Sequence, residues 1–134
     1  MKQEVIRELT RAEEQVMQAL WKIKKGFVKD ILRHFDDPKP AYNTVSTIVR
    51  ILQDKGFVAH KAYGRTHEYY PLISKSDYSK AHLNNFVKDY FSNSFENMVS
   101  FFAREKSISV REMGEIMKIM ETEMKKQNAE QWIR

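Results

Sequence analysis

Residues Lys61–Tyr70 read KAYGRTHEYY. Polar and aromatic residues alternate on both sides of Gly64, the period-two pattern of two short strands joined at a turn. The chain holds only four glycines. A tight turn is where one is needed, because glycine takes positive φ without a Cβ clash. The pattern predicts strands over Phe57–Lys61 and Thr66–Leu72. Arg65 then falls at the hairpin tip, far from any core, where its partner is an anion or solvent.

The segments upstream decide what kind of unit owns this hairpin. Thr10 is followed three residues later by Glu13, the spacing of a capping box. Ala12, Val16, Met17, Leu20 and Ile23 then recur at three and four, which predicts one apolar helix face. Lys24, Lys25 and Gly26 are expected to close that helix, with glycine as its left-handed cap. A second helix is expected over Val28–Phe35, and it cannot pass the stretch DDPKP, where proline lacks an N–H and clashes with the preceding turn. A third is expected over about Tyr42–Lys55, with Val45, Ile48, Val49 and Leu52 inward and Gly56 as its stop. Its start is open between Ala41, a poor cap, and Asn43, a good one. Three short helices followed by a basic hairpin is the order of a winged helix-turn-helix. The fold class is therefore mainly α with a small β-hairpin.

From Ser74 the pattern is helical only. Ser76–Phe91 is amphipathic, carrying Ala81, Leu83, Phe86, Val87, Tyr90 and Phe91. The residues SNS at 92–94 break it and cap a short apolar helix over Phe95–Arg104. Ser109 and Glu112 repeat the capping-box spacing at the head of a long helix to about Gln131. Two domains are expected: 1–73, the winged helix, and 74–134, a three-helix dimerisation lobe. In the second, Met113, Met117 and Met120 recur on one face beside Phe95 and Phe102. About 60 residues in three helices have little core of their own, and a two-fold homodimer would bury both apolar faces. Methionine's flexible thioether suits such a seam.

Composition bounds the function. With 134 residues, 31% charged and 42% apolar, the chain has the profile of a globular protein. It has no cysteine, so disulfides, thiolate metal sites and cysteine nucleophiles are excluded. The start MKQEVIRELT lacks a signal-peptide core, and no segment approaches the ~18 apolar residues of a membrane span. A cytoplasmic location with no membrane partner is expected. The net charge of +5 is concentrated locally: residues 38–67 hold Lys39, Arg50, Lys55, Lys61 and Arg65 against one anion, Asp54. Such an excess marks a surface for a polyanion, although a solvated basic face is equally compatible with charge alone.

Catalysis has little to stand on. The histidines at 34, 60, 67 and 82 show no metal-binding spacing, no GxSxG elbow occurs, and no glycine-rich loop could cradle a phosphate. Carboxylate pairs such as Glu13–Glu14 and Asp36–Asp37 read as caps and solvated faces. No enzyme, catalytic residue, metal or cofactor is expected. The third helix offers more, because its outer face carries Asn43, Thr44, Ser46, Thr47 and Arg50. These are the side chains of major-groove reading: Asn for adenine, Thr for base edges or the thymine methyl, Arg for guanine or phosphate. Lys61 and Arg65 on the hairpin would meet the adjacent backbone.

The stretches LTRAEEQVMQALW, AYNTVSTIVRILQDKGFV and GRTHEYYPLIS, with ISVREMGEI further on, closely resemble the penicillinase-repressor (BlaI/MecI) family over nearly the whole chain. The resemblance implies a homodimeric winged-helix repressor on a palindromic, double-stranded DNA operator. It carries base-reading roles to Asn43, Thr44 and Thr47 and the wing contact to Arg65. Cysteines of the copper-responsive branch are absent. Some relatives are cut by a membrane sensor protease at an Asn-Phe bond, which aligns here with Phe101-Phe102 and is not matched. Two rivals stand beside this reading. A sequence-independent architectural DNA binder would favour more lysine and no Asn/Thr face, and a protein-interaction winged helix would carry an apolar or acidic reading face.

Overall fold

A computed structural model describes residues 6–133. The described residues form two compact units, divided between Leu83 and Asn84. Among the described residues the elements follow in the order α1 Arg11–Ile23, α2 Val28–Arg33, α3 Tyr42–Asp54, β1 Val58–Tyr63, β2 Thr66–Pro71, α4 Lys75–Phe91, α5 Phe95–Arg104 and α6 Val110–Ile133. The division falls within α4, C-terminal to the boundary expected between residues 73 and 74.

In the first unit α1 opens at the expected capping box. The Thr10 amide donates to Glu13 Oε1 at 2.9 Å and the Glu13 amide to Thr10 Oγ1 at 3.2 Å. Val16, Met17 and Leu20 are buried with Ala19, whereas Ala12 is exposed, because the buried arc of α1 is centred nearer to Leu20. Gly26 does not cap α1. The left-handed residue is Lys24, at φ 75°, and Gly26 instead bridges to Tyr69, with N–O distances of 2.9 and 2.8 Å. A Cβ at Gly26 would lie 2.7 Å from Ile23 Cδ1 and 3.0 Å from Asp30 Cβ. Close packing, not positive φ, is what requires glycine there.

α2 ends at Arg33, two residues short of expectation. The Phe27 amide donates to Asp30 Oδ2 at its start, and Lys39 Nζ donates to the carbonyls of Arg33 and Phe35 just beyond its end. α3 packs Val45, Val49 and Leu52 against Val16, Met17, Leu20 and Ile31, and the helices close on Phe57, Val58 and Tyr69 of the hairpin region. The hairpin is antiparallel, pairing Val58 with Pro71 through to Tyr63 with Thr66. The first turns of α4 belong to this core. Tyr78 is buried, its ring 5.8 Å from Trp21 and 6.0 Å from Phe57, and its hydroxyl accepts from the Leu9 amide. Trp21 Nε1 donates to the Ile73 carbonyl at 2.8 Å.

Glu13, expected on a solvated face, is only 5% exposed. Lys55 Nζ donates to its two carboxylate oxygens at 2.9 and 2.8 Å, tying the C-terminal end of α3 to α1. Burial alone would raise the Glu13 pKa, but Lys55 and Thr10 outweigh it and hold the carboxyl below its ordinary value.

In the second unit Ser92 and Asn93 take positive φ and Ser94 Oγ accepts from the Asn97 amide at the head of α5. Ser109 and Glu112 exchange reciprocal hydrogen bonds of 3.1 Å at the head of α6. Phe91 packs 5.6 Å from Phe101 and 6.2 Å from Phe102, centroid to centroid. Among the described residues of this unit, Val87 is the one fully buried hydrophobic side chain.

Candidate nucleic-acid interface

The polar face of α3 is set by its period. Val45, Val49 and Leu52 point inward, and the opposite arc presents Asn43, Thr44, Thr47 and Arg50 to solvent, with Ser46 half-buried at its edge. Thr47 Oγ1 donates to the Asn43 carbonyl at 2.9 Å. The hydroxyl proton of Thr47 is thus committed to the backbone, while its lone pairs and methyl group remain outward. This leaves an acceptor and an apolar contact, the two features a base edge with an amino group or a thymine methyl would meet.

The hairpin turns through Gly64 and Arg65, with the positive φ (63°) at Gly64, as its sequence requires. Thr66 Oγ1 closes the turn on the Tyr63 carbonyl at 2.8 Å. Arg65 is exposed at the tip. Lys61 rests its ammonium 5.3 Å from the centre of the Tyr63 ring. The other hairpin face stacks His60 on His67 at 4.0 Å and 7°, and His60 Nδ1 lies 2.7 Å from Gln53 Oε1. That contact fixes the hairpin against the C-terminal half of α3.

The expected residues do not form one patch. Tyr42, Ser46 and Arg50, spaced by four along α3, line a cleft whose other walls carry Lys29 of α2 and Arg65, Thr66 and His67 of the hairpin. Burial pushes the Tyr69 phenol up in pKa against the pull of the Arg50 guanidinium beside it. Thr44 lies on the other flank of α3 with Ile48, facing a wider depression that also contains Gln15, Pro40 and Leu72. Asn43 and Thr47 stand on the crest between the two and line neither of them. Of the five cations counted between 38 and 67, Lys39 caps α2 and Lys55 is paired with Glu13. Arg50, Lys61 and Arg65 stay outward. Lys29 joins them from outside that stretch, a position no charge count along the hairpin and α3 could reveal.

In the second unit Phe95, Met117 and Met120 are 47%, 63% and 59% exposed, while Phe102 and Met113 are half-buried. Ile119 and Met124 lie open beside them. Among the described residues no cluster of three or more His, Asp or Glu could hold a metal ion, and no helix is long and apolar enough to cross a membrane.

The chain is similar to known proteins. The family model of the penicillinase repressor matches residues 9–122. The methicillin resistance regulatory protein MecI of Staphylococcus aureus (strain N315) is 26% identical over 114 residues, covering 84% of this chain and 93% of that protein. The penicillinase repressor of Bacillus licheniformis is 26% identical over 117 residues, with coverages of 87% and 91%. Among solved structures, the DNA-binding domain of the repressor BlaI aligns with 58% of this chain and 94% of its own, at 29% identity and a TM-score of 0.48. The monomeric form of Bacillus licheniformis BlaI in complex with the blaP half-operator aligns with 55% and 90%, at 28% identity and a TM-score of 0.46. The chain belongs to the penicillinase-repressor family, a family of winged-helix transcriptional repressors and not of enzymes.

Proposed function

We propose that the chain is a sequence-specific repressor that binds a palindromic operator as a homodimer in the cytoplasm, each copy laying α3 in the major groove. The observation that carries this reading is the outer arc of α3. Asn43, Thr44 and Thr47 are exposed together, opposite a fully buried Val45–Val49–Leu52 stripe, beside a hairpin tipped by Arg65. Short hydrogen-bonding side chains on a convex helix face suit base edges, and the flanking cations suit phosphates. A purely architectural binder would carry lysine on that crest, and a protein-docking face would carry apolar or acidic residues. The crest has neither.

Dimerisation is assigned to the second unit, through Phe95, Phe102, Met113, Met117 and Met120. One buried hydrophobic side chain among the described residues is too small a core for a unit of some 50 residues, and a second copy supplies the missing surface. Induction by a sensor protease is not part of the proposal.

Selection of bound fragments from a random DNA pool tests this directly. A palindromic consensus with half-sites about one helical turn apart, or slightly more, is expected. Recovery of fragments with no consensus would favour the architectural reading.

A further inference from the structure

We infer that the cleft between α3 and the hairpin seats a backbone phosphate of the DNA duplex, and that Lys29 and Tyr42 are positioning residues for it. The cleft encloses about 390 Å³. Lys29, Arg50 and Arg65 bring three cations to its wall, Tyr42 and Ser46 bring hydroxyls, and no carboxylate lines it. None of the three cations has a carboxylate within 4.0 Å among the described residues. Three like charges brought around one cleft repel one another, and an anion between them removes that cost. A phosphodiester fits this set, because its two free oxygens accept from guanidinium, ammonium and hydroxyl donors alike.

Position selects a duplex as the source of that phosphate. Tyr42, Ser46 and Arg50 lie on one flank of the helix whose crest carries Asn43 and Thr47, so a strand passing through the cleft leaves its groove against the crest. Arg65 closes the cleft from the hairpin side. Ser46 and Arg50 are thereby moved from base reading to backbone positioning, and the reading face narrows to Asn43, Thr44 and Thr47. Lys29 enters from α2, so three separate elements fix one point of the backbone. Such a contact sets the register of α3 in the groove without carrying sequence information itself.

The inference rests on the DNA-binding reading above, and its test separates the two. The full-length protein, its Lys29→Gln variant and its Tyr42→Phe variant are titrated with the selected operator and with a mixed-sequence duplex over a salt series. Lys29→Gln is expected to weaken both duplexes by a similar factor, about threefold to tenfold, and to reduce the slope of log K against log salt by about one per half-site. Tyr42→Phe, which keeps the ring, should weaken both by a smaller common factor. Operators with a single neutral methylphosphonate, moved along the backbone, locate the partner. One position per half-site should weaken the parent protein and leave Lys29→Gln unaffected. Unfolding midpoints equal to the parent's confirm that the variants fold. The proposal is overturned if Lys29→Gln keeps the parental slope and affinity, or if it weakens only the operator. It is also overturned if inorganic phosphate alone saturates the DNA-free protein and Lys29→Gln abolishes that binding without changing the salt slope, since the seat then serves a small ligand. A parent protein that binds no duplex refutes the DNA-binding reading instead.

Discussion

Thr47 illustrates how one hydrogen bond narrows a side chain's role. With its proton held by the Asn43 carbonyl, it can accept from a base or touch a methyl group but not donate. Thr47→Ala or Thr44→Ala is expected to cost about 1–3 kcal/mol on the operator and almost nothing on mixed-sequence DNA. Parallel losses on both would make these residues backbone contacts. Arg65 should behave in the opposite way. Arg65→Ala is expected to weaken both duplexes by roughly 1–2 kcal/mol and to flatten the salt dependence; unchanged affinity at low and high salt would remove the wing from binding. Glu13 matters for stability instead. Its folded pKa lies below the ordinary value, so the ionised pair with the Lys55 ammonium stabilises the fold at neutral pH, above the unfolded carboxyl value. That contribution is lost as pH falls through the folded value. Glu13→Gln should cost roughly 1–3 kcal/mol at neutral pH and flatten the acid limb of the stability curve. A parental acid limb in the variant would show that the pair adds nothing.

At the scale of elements, the helices were legible because each carries local signals. Thr10 with Glu13, and Ser109 with Glu112, mark helix starts within four residues, and the α3 stripe repeats at three and four. The hairpin was legible through alternation and Gly64. What stayed hidden depends on partners distant in sequence. The Glu13–Lys55 pair spans 42 residues, and nothing near Glu13 distinguishes a capping carboxylate from one that is also buried. Gly26 looks like a helix stop in the sequence, yet a single bridge to Tyr69 has no periodicity to read. The crest residues of α3 were legible from periodicity. The division of its flanks was not, because it depends on where the hairpin and α2 lie. Gly26→Ala probes the bridge. Its Cβ would force aside Ile23 Cδ1 and crowd Asp30, whose carboxylate caps α2. A loss of about 1–3 kcal/mol in denaturant unfolding is expected, and an unchanged midpoint would mean the site relaxes freely.

For the whole molecule, affinity depends on joining two weak readers. One winged helix makes few base contacts, and a tether raises the effective concentration of the second copy, adding orders of magnitude without a new contact. The expected tether is the second unit, with Met117, Ile119, Met120 and Met124 open along α6. Where to cut follows from packing. Ending the chain at Leu72 would remove the Ile73 carbonyl that Trp21 holds and the Tyr78 ring that fills the core, so the fragment should end at Leu83. That fragment is expected to be a folded monomer that binds a full operator at least 100-fold more weakly than the intact chain. Met117→Glu and Met120→Glu in the intact chain should act in the same direction, because each places a carboxylate in an apolar seam. Sedimentation and operator titration of all three proteins provide the check. Any of them that is monomeric yet binds the full operator as tightly as the parent would show that the two readers are not joined through α6.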